Sequence, residues 1–231
     1  MNKAVNLSMW CLSVFNLVGI LKLTWHNKQN NYKYISKMLN LPIQRHYLIS
    51  PLLLLLIAAI FQLLDLGTLL QYNTNQIEQG QLWRMITGHF VHSNINHLLL
   101  NSAGIALIWA LHGEYYRPSF YAQLLFGLSL CISLGLFLFY PQTAIYVGLS
   151  GVLHGMIIVG AIIDTQKGHR SGYLLFFGVW GKIVFEHLQG PNLELSDLID
   201  ARVAIESHLL GAFAGSCYWL VVLLKKQKRH N

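Results

Sequence analysis

Apolar residues in this chain gather in long runs instead of alternating with polar ones. Six stretches, approximately 47–69, 95–112, 119–139, 145–164, 171–187 and 202–224, are apolar on nearly all sides. A helix that is apolar all round lies in a large core or in a bilayer, and about 20 helical residues cross the hydrocarbon. The pattern therefore predicts an all-α polytopic membrane protein, a six-helix transmembrane bundle over 47–224. The interruptions EYYRP, FYPQT, QKGHRSG and QGPN fit short turns. The connection 70–94 is too long for a hairpin and is expected to pack on the membrane or partly enter it. Outside the bundle, 1–46 is an N-terminal region with a basic stretch, and 225–231 is a basic tail. Within the former, 5–24 (VNLSMWCLSVFNLVGILKLT) is apolar enough for a seventh span or a membrane-surface segment. It lacks the basic start and small-residue cleavage site of a signal peptide.

Composition sharpens this picture. Only 11% of residues are charged and 54% are hydrophobic, whereas a soluble domain carries roughly 25% charge. The net charge of +7 does not point to nucleic acid, because the basic residues flank hydrophobic runs. Lys28, Lys33, Lys37 and Arg45, then Arg117, then Lys167 and Arg170, then Lys225, Lys226, Lys228 and Arg229 all fall on one side of six spans. Glu78 and Arg84, then Glu194, Asp197 and Asp200, fall on the other. The positive-inside rule makes both ends of the core cytoplasmic. Cys11, Cys131 and Cys217 form no CxxC pair and sit in apolar runs, as expected of buried small hydrophobes.

Polar residues inside spans are costly and mark sites. Counting from the outer ends of their stretches, Ser150 lies about 7 to 8 Å deep and His208 about 9 Å. Asn101 is at a similar level. Gly148, Gly151 and Gly155 surround Ser150, while Gly211 and Gly215 follow His208 at four-residue spacing. Such seams let helices meet backbone to backbone. A hydroxyl and an imidazole on two facing seams are the minimum for nucleophilic acyl transfer. His154 is on the same helix face as Ser150 but about 6 Å deeper, which suits a supporting role better than that of base.

Taken together, these residues resemble the rhomboid family of intramembrane serine proteases over roughly 47–224. WRMITGHFVHSNINHLLLN supplies Trp83, Arg84, Thr87, His92, His97 and Asn101; GLSG supplies the nucleophile motif around Ser150; HLLG supplies His208 and Gly211. The extension to GLSGVLHG, with Lys182 and Glu186 in the fifth stretch, is more similar to the rhombosortase branch. Ser207 stands where the wider family usually has alanine.

The resemblance implies a rhomboid-like six-helix bundle that cleaves membrane-anchored proteins near the outer, periplasmic face. The rhombosortase likeness implies substrates with a C-terminal glycine-glycine sorting signal, a hydrophobic helix and a basic end. Ser150 would be the nucleophile and His208 the base, working as a dyad, since the nearest acid in sequence, Glu206, is on another helix face. His97, Asn101 and the Ser150 N–H would hold the oxyanion. Trp83 and Arg84 would anchor at the interface or shape the first loop, and His92 would organise that loop by hydrogen bonding. The spacing of His89, His92 and His97 is not that of a zinc site, and no cofactor is expected. Lys182 and Glu186, one turn apart, are expected to pair, either structurally or to recognise substrate. The alternative to a protease is a catalytically silent relative that holds client helices.

Overall fold

The computed structural model describes residues 41–230, with side chains to residue 218; the segment 5–24 lies outside the described residues. In chain order the elements are α1 (Arg45–Leu63), α2 (Gly67–Leu70), β1 (Tyr72–Asn73), α3 (Thr74–Glu78), α4 (Arg84–Thr87) and α5 (Ile95–His112). A 3-10 turn (Gly113–Tyr115) leads to α6 (Pro118–Phe139), β2 (Ile145–Tyr146), α7 (Ser150–Gln166), α8 (Ser171–Gln189), α9 (Leu193–Ile199) and α10 (Ile205–His230). The segments Arg45–Leu63, Ile95–Tyr115 and Pro118–Phe139 are long and apolar enough to cross a membrane, and Ser150–Gln166 is a shorter apolar helix. The α8 and α10 helices are less apolar because they carry Lys182, Glu186, His208 and the basic end. The fold is the expected helical membrane bundle.

Local sequence sets the helix starts. Pro118 opens α6, where its missing N–H costs nothing. The Asn94 side chain accepts the His97 N–H to cap α5, and Asn192 caps α9 in the same way.

The bundle is built around α7, which packs against α10, α8, α5 and α6. Val152, Met156, Ile158, Val159 and Ala161 are fully buried along it. By contrast, Leu52 and Leu56 of α1, Phe126 and Leu138 of α6, and Phe177 and Phe185 of α8 are exposed. So large an apolar outer surface is what lipid covers. Cys131 and Cys217 also lie on exposed faces. They are not buried as expected, because a hydrocarbon-facing surface suits a thiol as well as a core does.

Glycines set the closest approach in the bundle. A Cβ at Gly211 would overlap the Gly151 carbonyl oxygen, and one at Gly215 would lie 2.5 Å from that of Gly155. Near the C-terminal end of α7, Asp164 accepts from Tyr115 Oη at 2.6 Å and from His112 Nε2 at 3.3 Å, tying α5 to α7.

Three helices depart most from the hydrophobic pattern. The first helix stops at Leu63, and Asp65, at φ 49°, turns the chain into α2. The fourth starts at Ser150 instead of 145, because Ile145 and Tyr146 pair antiparallel with Asn73 and Tyr72. The last starts at Ile205 instead of 202 and continues to His230, through the basic tail that was expected to be separate.

Replacing Gly211 with valine should force α7 and α10 apart, lowering stability in detergent by about 1 to 3 kcal/mol or more. Gly178→Ala, with open space around it, should leave the melting temperature nearly unchanged; equal effects would refute the seam.

Candidate active site

The site begins at a turn. Gly148 has φ +107°, and a Cβ there would stand 2.5 Å from His97 Nε2, so only glycine fits both the conformation and the space. Tyr146 Oη donates to the Gly148 carbonyl at 2.6 Å, and Gly148 N–H donates to the Gly88 carbonyl at 3.1 Å. Held in this way, the chain enters α7 inside the protein. Ser150 is therefore the first residue of its helix, not five residues along it as the hydrophobic boundary suggested. Its backbone N–H has no intrahelical acceptor and sits at the positive end of the helix dipole.

Across the glycine seam, Ser150 Oγ lies 2.9 Å from His208 Nε2. His208 Nδ1 lies 3.0 Å from Glu186 Oε2, and the other Glu186 oxygen accepts from Lys182 Nζ at 2.6 Å. An ionised carboxylate only accepts. His208 thus carries its proton on Nδ1 and offers the Nε2 lone pair to the Ser150 hydroxyl. The acid beside His208 is thus Glu186 of the neighbouring helix, a contact the sequence did not indicate. Glu206 makes two bonds to Arg202, at 2.6 and 3.0 Å, and is not the partner of His208.

His154 donates from Nδ1 to the Ser150 carbonyl at 2.7 Å. Its ring lies nearly parallel to that of His208, with centroids 4.2 Å apart and 20° between planes. His154, Glu186 and His208 also form a cluster of metal-ligand type. Lone pairs of stacked rings run in parallel planes and do not converge, and both nitrogens of His208 are already engaged. The cluster suits a hydrogen-bonded relay.

A cavity of about 630 Å³ is lined by Ser150, His208, Glu186, Asn101 and His97. Asn101 Nδ2 is buried with no hydrogen-bond partner among the described residues. Ser93 Oγ donates to the Ile199 carbonyl at 2.5 Å and meets His97 Nδ1 at 3.0 Å. The single Ser93 proton is therefore spent on Ile199, so His97 donates through Nδ1. Its Nε2 can donate only when the ring carries a second proton. The Ser150 N–H and Asn101 are the donors already available.

The first loop is latched from beneath. Arg84, 6% exposed, donates to the carbonyls of Thr68 and Gln71, while Trp83 is half exposed. His89 Nε2 lies 3.1 Å from the Ser129 carbonyl and 3.0 Å from Ser133 Oγ of α6. Among the described residues His92 makes no hydrogen bond, contrary to expectation; it packs edge-on against His97, with centroids 5.0 Å apart. The residues that sequence reasoning missed are Tyr146 and Ser93. The only hint was their spacing, two and four residues from Gly148 and His97.

Known proteins resemble this chain over the same region. Residues 79–225 match the Rhomboid domain. The Bacillus subtilis (strain 168) protein named "Putative rhomboid protease YdcA" is 23% identical over 171 residues, covering 71% of this chain and 78% of its own.

Burial lowers the pKa of both His89 and His92 from 6.5 to about 3. A depressed folded pKa means the neutral ring is favoured on folding. Its stabilisation is complete above pH 6.5 and is lost as pH falls from there toward 3, by about 1.4 kcal/mol per histidine per pH unit. Thermal melts in detergent should be flat from pH 8 to 7 and fall steeply below 6.5, and His92→Leu should shallow that slope.

Proposed function

The chain belongs to the rhomboid family, and from that premise we propose that it is an intramembrane serine endopeptidase with Ser150 as nucleophile and His208 as general base. The observation that carries this reading is the 2.9 Å contact from Ser150 Oγ to His208 Nε2 in a cavity lined by both. As Oγ attacks the scissile carbonyl, its proton passes to Nε2, and the carbonyl π pair becomes an oxyanion facing the Ser150 N–H and Asn101 Nδ2. Collapse breaks the C–N bond, and the Nε2 proton goes to the leaving nitrogen. Water then attacks the acyl ester, giving its proton to Nε2; the second collapse returns that proton to Ser150 Oγ and releases the carboxylic acid.

The substrates on this reading are membrane-anchored proteins. The charge asymmetry of the loops supports a cavity near the outer face of a bacterial inner membrane, where water is at hand. A glycine-glycine segment is a favourable target. A peptide bond must leave its helix to reach Ser150, and glycine disfavours helix by about 1 kcal/mol per residue. The likeness of GLSGVLHG, Lys182 and Glu186 to the rhombosortase branch supports that choice. The partners are thus substrate helices and the lipid bilayer.

Reconstituted with a single-span substrate bearing a glycine-glycine motif before its helix, the wild-type chain should cleave. Ser150→Ala and His208→Ala should each lose about 10³-fold or more. Asn101→Ala should lower kcat by about 10- to 100-fold with KM nearly unchanged. Equal cleavage by all of these would reject the reading, and a substrate with the glycines replaced by leucines tests the preference.

A further inference from the structure

Acyl transfer as written above uses Ser150 and His208 alone, yet two charged residues of α8 reach the same cavity. Charges within a span are costly unless paired or put to use. If Lys182 and Glu186 merely neutralised one another, one turn apart on one helix, a single contact would suffice. Glu186 instead divides its oxygens, one on Lys182 Nζ and one on His208 Nδ1 across the helix interface. The Glu186 side chain is 17% exposed and that of His208 is 6% exposed, while that of Lys182 is 49% exposed. The carboxylate is therefore aimed inward at the imidazole, with the ammonium behind it.

The rest of the site fits this direction. A neutral imidazole has two tautomers, and the one in use is set by the partner of the other nitrogen. His154 covers one face of the His208 ring and is itself held by the Ser150 carbonyl, so the ring cannot tilt away from Ser150. Other titratable or charged groups stand around His208. They are His154 on α7, Lys182 and Glu186 on α8, His97 on α5, and Glu206 on its own helix, where Arg202 holds it. Of these acids, only Glu186 touches the ring.

We propose that Glu186 is a positioning residue for His208, so that the site works as a Ser–His–Glu relay. Its carboxylate accepts the Nδ1–H, fixes the tautomer that presents Nε2 to Ser150, and stabilises the imidazolium formed as Ser150 attacks. Lys182 holds the second oxygen and keeps the carboxylate turned toward His208. The inference rests on the protease reading above and adds the acid which that reading does not require.

The test compares kcat, KM and the pH profile of wild type, Glu186→Gln and Glu186→Asp in the same reconstituted assay, with melting temperatures measured alongside. Glu186→Gln should lower kcat by about 10²-fold or more and leave KM within about threefold. The shape of its kcat/KM profile against pH should change, since the carboxylate no longer contacts the ring. Glu186→Asp should recover part of the rate. A purely structural pair would lower abundance or melting temperature without changing that profile. In parallel, ¹⁵N-histidine NMR of the wild-type chain, with His208 assigned by its loss in His208→Gln, should show Nδ1 protonated and Nε2 bare above neutral pH. The opposite tautomer, or an equal mixture, overturns the proposal even if Glu186→Gln does not fold. If Ser150→Ala abolishes cleavage while Glu186→Gln keeps wild-type kcat and profile, the relay falls and the protease reading stands. If the wild type cleaves nothing, the protease reading fails, and the tautomer still decides whether Glu186 orients His208.

Discussion

Everything at the site depends on how closely α7 and α10 approach. Ser150 stands at the start of one helix and His208 in the first turn of the other, and their 2.9 Å contact exists because glycines let the backbones touch. Gly151 and Gly155 face Gly211 and Gly215 with no room for a Cβ at the crossing. In a bilayer the hydrophobic effect gives helices no reason to prefer each other over lipid, so such packing is itself the cohesive force. The same contact sets the reaction geometry, where a displacement of about 1 Å can cost 10²-fold in rate. Stability and chemistry therefore share one seam.

A second constraint follows from starting α7 below the surface. Irregular backbone at membrane depth is tolerated only when protein satisfies it. The first loop meets that demand. Arg84 and Thr87 close it on the carbonyls of Thr68, Gln71 and Leu70, and His89 ties it to α6. The Tyr72–Tyr146 pairing and the Gly88–Gly148 bond then hold the entry to α7. The loop acts as a part of the core that keeps a helix N-terminus, with its free N–H groups, facing the cavity.

The helices were legible in the sequence because all-round apolar runs have no other comfortable solvent. Ser150, His208 and the glycines were legible as facing seams, and the family resemblance of three ordered motifs joined them. What stayed hidden was of two kinds. The two-residue strands Tyr72–Asn73 and Ile145–Tyr146 are too short to show a period, so the fourth hydrophobic run looked like continuous helix from 145. The contact of Glu186 with His208 joins different helices, and no spacing encodes a crossing between helices. Sequence showed only the i, i+4 partner, Lys182. His154 raised the same difficulty: its depth along the helix argued only against its meeting the Ser150 hydroxyl, whereas its stacking on His208 comes from the neighbouring helix.

The central claim is that His208 activates the Ser150 hydroxyl. The most direct measurement is the site and rate of covalent modification by a fluorophosphonate, which needs no substrate. The account predicts a single adduct, located on Ser150 by peptide mass spectrometry, forming in the wild-type chain and slowed by at least about 10²-fold in folded His208→Ala. An adduct on another residue, or equal labelling of Ser150 with and without His208, would contradict it.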